Sequence, residues 1–114
     1  MLAKQHRLVK QKDFEKVFKR ARSYYTKRLG VKALLNQLPS NRFGIVISTK
    51  ISKKATERNR LKRQIRQAAR ELNKELKLGF DIVIMALPGF INQEYEIVKE
   101  ELERIFAKLR IFKW

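Results

Sequence analysis

Cysteine is absent from this chain, which removes disulfides, thiolate catalysis and zinc ribbons or fingers together. Histidine is almost absent: His6 stands alone, in a basic N-terminal stretch. Acids are scarce where chemistry would need them, since residues 1–70 contain only Asp13, Glu15 and Glu57. Three carboxylates so dispersed do not make a magnesium cluster or an acid–base pair. Asp13 and Glu57 are better explained as charges at helix starts, where the macrodipole favours anions. The four glycines, Gly30, Gly44, Gly79 and Gly89, lie too far apart to form a phosphate-cradling loop. No apolar run approaches the roughly 18 residues of a membrane span, and MLAKQHRLVKQKD has no apolar stretch of the kind that directs secretion. These shortages argue against an autonomous nuclease, or any enzyme working alone, and make a cytoplasmic location the expectation.

What is abundant is positive charge. The chain has 28 Lys+Arg against 11 Asp+Glu, a net of +17 over 114 residues. Residues 1–70 hold 21 basic and 3 acidic side chains, whereas residues 71–114 hold 7 and 8. The first two-thirds therefore repel themselves unless a polyanion neutralises them, and closely spaced phosphates do so while releasing condensed counterions. An apolar content of 44% is too high for a disordered basic tail. The expectation is one RNA-binding domain over residues 1–114, with 1–11 as an extended basic arm.

Periodicity divides the chain into six elements. Phe14, Val17, Phe18 and Ala21 recur at helical spacing, predicting a helix from about Lys12 to Ala21. Alternation in Arg28–Leu35 predicts a strand, and the turn signal Asn36–Asn41 separates it from a second over Arg42–Ser48; the two read as an antiparallel pair. A second helix starts near Ser52 or Thr56, either a suitable N-cap, and runs to about Leu76. Phe80–Leu87 is nearly continuously apolar and reads as a strand covered on both faces. Asn92 is the expected N-cap of a third helix, with Tyr95, Val98, Leu102, Ile105, Phe106 and Leu109 in one stripe. The order α-β-β-α-β-α predicts an α+β fold, a small sandwich of helices on a sheet.

The second helix carries the sharpest signal. Between Lys50 and Arg70 nine Lys/Arg face one acid, Glu57. Leu61, Ile65, Ala68, Leu72 and Leu76 fall in a narrow arc at 100° per residue; Asn59, Arg63, Arg66 and Arg70 lie opposite, with Arg58, Arg60 and Lys62 on the flanks. A solvated surface is the ordinary explanation of a charged helix. Here the acids that would form i,i+4 pairs are missing, so the outer face is expected to meet nucleic acid. Arg58-Asn59-Arg60 sits in the first turn, where guanidinium forks grip phosphates beside free backbone N–H donors. Asn59 can reach a base edge, a sugar hydroxyl or the preceding loop. Phe14 and Phe18, one turn apart on the first helix, are either core residues or the wall of a groove rimmed by Lys16 and Arg20 in which bases stack. Tyr24 and Tyr25 pose the same choice.

The string Ser52-Lys53-Lys54-Ala55-Thr56-Glu57-Arg58-Asn59-Arg60-Leu61-Lys62-Arg63-Gln64-Ile65-Arg66 resembles the signature of the bacterial ribonuclease P protein subunit, an Arg-Asn-Arg helix after a Ser-Lys-Lys approach. His6-Arg7-Leu8, Asp13-Phe14 with Val17-Phe18, Arg42-Phe43-Gly44-Ile45 and Phe80-Asp81-Ile82-Val83 are similar to other segments of that family, in the same order. The resemblance implies a left-handed β-α-β crossover through the second helix, against the usual right-handed rule. It implies a noncatalytic protein subunit of an endoribonuclease: the RNA subunit, with Mg2+ bound mainly by that RNA, removes the 5′ leader of precursor tRNA, and the protein binds both RNAs. By position it assigns Lys50, Lys53, Lys54, Arg58, Asn59, Arg60, Lys62, Arg63, Arg66 and Arg70 to the catalytic RNA, and Phe14, Phe18 and Lys32 to the single-stranded leader. Lys32 stands where relatives often carry an aromatic residue, which predicts leader contacts weighted towards charge. A ribosomal or RNA-assembly binding protein is the alternative; it needs the same charge but no single-strand groove.

Overall fold

The computed structural model describes residues 2–114. Its elements run α1 (Gln11–Arg20), β1 (Arg22–Tyr25), β2 (Leu29–Leu35), β3 (Arg42–Val46), α2 (Ala55–Asn73), β4 (Phe80–Ala86) and α3 (Tyr95–Leu109), with a 3-10 turn at Lys4–His6. The four strands form one sheet in the order β1-β2-β4-β3. The mixed α+β expectation holds, with one strand more than the sequence pattern announced. That strand, β1, is four exposed residues, RSYY, with no apolar alternation to reveal it.

The expected pairing of the second and third strands is corrected. β4 lies between them, antiparallel to β2 and parallel to β3. The reason is burial: every residue of β4 except Met85 is buried, whereas in β3 only Phe43 and Gly44 are. A strand apolar on both faces belongs inside the sheet, and β3 takes the edge. The 36–41 loop then crosses the start of β4 and is stitched to it, Asn36 N–H donating to Gly79 O at 2.8 Å and Phe80 N–H to Asn41 Oδ1 at 2.8 Å.

Register separates two faces. Leu29, Val31 and Ala33 of β2, Ile82 and Ile84 of β4 and Phe43 of β3 join Leu61, Ile65, Leu72, Leu102 and Phe106 of α2 and α3 in the main core. Each large aliphatic side chain fully buried there contributes about 1.5–3 kcal/mol. Lys32 pairs with Val83, Gly30 with Met85, and Gly44 with Val83 on the opposite face, where α1 supplies Val17, packed in a smaller cluster with Leu8 and Val83.

Four local expectations change. Residues 2–11 are not a free arm: Leu2 and Leu8 are buried, and Leu8 N–H donates to Phe43 O at 2.9 Å; Met1, the first residue of the expected arm, lies outside the described residues. The His6 ring N–H donates to Asn41 O at 2.9 Å, and the fully buried Asn41 amide also reaches Asn73 and Lys77 O, so this polar knot ties the N-terminal turn to the end of α2. α2 is capped neither by Ser52 nor by Thr56; its N-cap is Lys54, without a side-chain hydrogen bond. Ser52 instead accepts from Lys54 N–H at 3.1 Å and donates to Glu57 at 2.5 Å. Asn92 is likewise not a cap, since α3 starts after Glu94; its amide donates to Glu57 Oε2 at 2.7 Å, joining the approaches to α2 and α3. α2 ends at Asn73 rather than Leu76, which pairs instead with Phe112 in a short bridge.

Candidate nucleic-acid interface

The apolar arc of α2 faces the core, so the cations between its buried positions must face outward. Leu61, Ile65, Ala68, Ala69 and Leu72 are buried, while Asn59, Arg60, Arg63 and Arg70 are exposed and Lys62 and Arg66 half-exposed. Arg63, Arg66, Gln67 and Arg70 line a shallow depression of about 470 Å3. Among the described residues no carboxylate lies within ion-pair distance of Arg58, Arg60, Lys62, Arg63, Arg66 or Arg70; the ion pairs present involve Arg28, Arg42, Lys99 and Arg104. Arg58 differs from the rest: its Nη1–H donates to Ser52 O at 2.7 Å, bracing the loop before the helix. That leaves Asn59 exposed and the loop already held by its neighbour. Lys50, Lys53 and Lys54 are exposed on the approach to the same helix end. Glu57 sits below the usual carboxylate range because Ser52 and then Asn92 donate to it.

On the other side of the sheet a second surface opens beside α1. Phe18 is 46% exposed and Tyr25 49%. The Lys32 ammonium lies 5.9 Å from the Phe18 ring centroid and 5.7 Å from that of Tyr25, within cation–π range of both, and donates to Ser23 Oγ at 3.2 Å. Phe14 is half-buried and belongs mainly to packing: a Cβ on Gly44 would fall 2.5 Å from its ring. The three residues expected at this cleft are therefore on one face, but with different exposure. Farther along α1, Lys12, Lys16 and Arg20 rim a groove of about 590 Å3 that ends at Arg42 and Asp81.

Asp81 adds little negative field there. Arg42 donates to both of its oxygens, Nε at 2.8 Å and Nη2 at 2.7 Å, and lies 3.3 Å from Asp13. The hydrogen bond to Asp81 raises the Arg42 pKa further, against the opposing effect of burial.

Sequence reasoning left one residue of this surface, Tyr25, open between core and groove, and passed over another, Arg7. Tyr25 reaches the cleft only because β1 pairs with β2, setting it opposite Gly30; nothing in RSYY announces that pairing. Arg7 joins Lys62 and Arg66 around a groove of about 330 Å3 that also touches Phe14 and Gly44, linking the α2 surface to the α1 side. Among the described residues no three His, Asp or Glu side chains are grouped to hold a metal ion.

A family model described as Ribonuclease P matches residues 2–110. The ribonuclease P protein component of Synechocystis sp. is 41% identical over 111 residues, covering 96% of this chain and 90% of that protein. Its counterpart from Clostridium botulinum is 32% identical over 110 residues, with 96% and 98% covered. Among solved structures, the Staphylococcus aureus RNase P protein superposes with a TM-score of 0.86 at 25% identity, covering 95% of this chain and 98% of that one. The Thermotoga maritima RNase P protein gives 0.80 at 31% identity, with 90% and 96% covered.

Proposed function

The chain belongs to the ribonuclease P protein family, the protein component of a tRNA-processing ribonuclease, and on that premise we propose that it clamps two RNAs at once, the catalytic RNA on α2 and the single-stranded 5′ leader of precursor tRNA in the cleft beside α1. The observation that carries this reading is the unpaired state of the α2 cations. A face with Arg60, Lys62, Arg63, Arg66 and Arg70 and no acid in reach is self-repelling until phosphates replace its counterions. Arg58, fixed by its bond to Ser52 O, holds the first turn in shape, and Lys50, Lys53 and Lys54 extend the positive field towards the same RNA.

The cleft suits a single strand. Exposed rings at Phe18 and Tyr25 offer faces for bases, while Lys32 between them offers charge to the backbone. On this reading the protein makes and breaks no bonds. It raises the local concentration of the leader next to the catalytic RNA and lowers the electrostatic cost of bringing two polyanions together, so less magnesium is needed. Mg2+ on this reading is held mainly by the RNA.

Cleavage of precursor tRNA tests it. Purified protein alone should leave the precursor intact, the cognate RNA subunit alone should be weak at low magnesium, and the two together should release the leader. Cutting by the protein alone, or failure of the protein to help the RNA, would overturn the proposal, and the second result would favour a ribosomal or assembly role.

A further inference from the structure

Beyond α3 the chain builds an aromatic stack that neither RNA surface uses. Phe112 is 3% exposed and anchored edge-on against Phe106, with centroids 6.2 Å apart and planes at 71°. Trp114 lies flat on it, 4.5 Å away at 9°, yet remains 78% exposed. One indole face is thus covered by a fixed ring and the other is open. The groove beside it, about 480 Å3, is lined by Lys77, Ala107, Arg110, Phe112, Lys113 and Trp114, three cationic side chains and no acidic one. Its backbone is firmly held: Lys77 N–H donates to Ile111 O and Lys113 N–H to Glu75 O, each at 2.8 Å.

We infer that the Phe112–Trp114 stack with Lys77, Arg110 and Lys113 is a third RNA contact, on which an unpaired base of the catalytic RNA stacks against the open indole face while the cations hold its flanking phosphates. A rigid ring beside cations without acids is the chemistry that binds unpaired nucleotides of any sequence. The choice of RNA follows from position. Residues 75–77, to which the stack is strapped, leave the end of α2, and Phe112 belongs to the core on the α2–α3 side of the sheet, away from Phe18 and Lys32. The inference rests on the reading that α2 docks on the catalytic RNA.

Trp114 is the chain's single tryptophan, so its fluorescence reports this stack alone. The full chain is titrated with the cognate catalytic RNA, with a leader oligonucleotide, and with heparin, a polyanion without bases. The catalytic RNA should quench the emission, and heparin should bind without doing so. Trp114→Ala should weaken catalytic-RNA binding roughly tenfold, and Trp114→Phe by less than about threefold, with both variants keeping the wild-type circular dichroism spectrum. Equal quenching by heparin, quenching by the leader alone, quenching that tracks protein concentration without RNA, or unchanged affinity in Trp114→Ala would each overturn the inference. Arg66→Ala separates the two claims: if it weakens binding while Trp114→Ala does not, only the stack fails; if neither does, the α2 reading fails with it.

Discussion

The ring of Tyr25 lies against Gly30 on the neighbouring strand, so close that a Cβ there would overlap its Cδ1 and Cε1 atoms. Glycine is what lets the tyrosine lie beside the Lys32 ammonium. Gly30→Ala should therefore push the ring out of the cleft. Precursors with long leaders should bind several-fold more weakly, while affinity for the catalytic RNA alone stays unchanged; equal loss for leaderless tRNA would show that the ring takes no part in leader binding.

Phe14 and Phe18 differ in burial, and their alanine variants should separate accordingly. Phe14→Ala empties the space over Gly44 and should cost about 2 kcal/mol of stability, seen as a lower urea midpoint. Phe18→Ala should leave that midpoint nearly unchanged and reduce binding in proportion to leader length. Both effects appearing in both variants would mean that the two rings form one packed unit.

Arg63→Ala and Arg66→Ala remove cations that no acid balances. Each should weaken catalytic-RNA binding and lower the slope of log affinity against log salt by about one for every phosphate left without its guanidinium. Folding should be little affected, because neither side chain is part of the core. An unchanged slope would place those guanidiniums away from RNA.

Asp81 is 5% exposed and receives two hydrogen bonds from Arg42 and one from Asn36. Asp81→Ala leaves the Arg42 fork without its main partner and should cost about 3 kcal/mol. The groove that Lys12, Lys16 and Arg20 rim would then gain positive field, so binding per folded molecule should hold or improve even as the melting temperature falls.

Tyr95 donates its hydroxyl to Glu71, and burial together with that carboxylate raises its pKa well above the usual tyrosine value. A raised folded-state value means that the contribution to stability is complete below about pH 10, where the unfolded-chain phenol titrates, and is lost as pH climbs from there through the folded-state value. Denaturant midpoints at pH 9 and pH 11 should fall more for the wild type than for Tyr95→Phe. An equal fall in both would show that the Tyr95 hydroxyl does not carry the alkaline loss.

The α2 surface was legible in the sequence because helical periodicity alone decides it. Once Leu61, Ile65 and Leu72 turn inward, Arg63, Arg66 and Arg70 have to turn outward, and one acid among nine cations leaves them unpaired. That β4 is covered on both faces was likewise readable from its continuous apolar run, though its place between β2 and β3 was not. The cleft was readable only in part. Phe14 and Phe18 share a helical face in sequence, but which ring is packed and which is open depends on Gly44 and Leu8 across the sheet. Tyr25 enters through β1, whose residues carry no burial signal, and β2 and β3 part company because β4 inserts between them. Local spacing fixes which way a side chain points on its own element; which strand lies beside which is settled by long-range pairing, where burial of the most apolar strand outweighs the short loop that would have joined its neighbours.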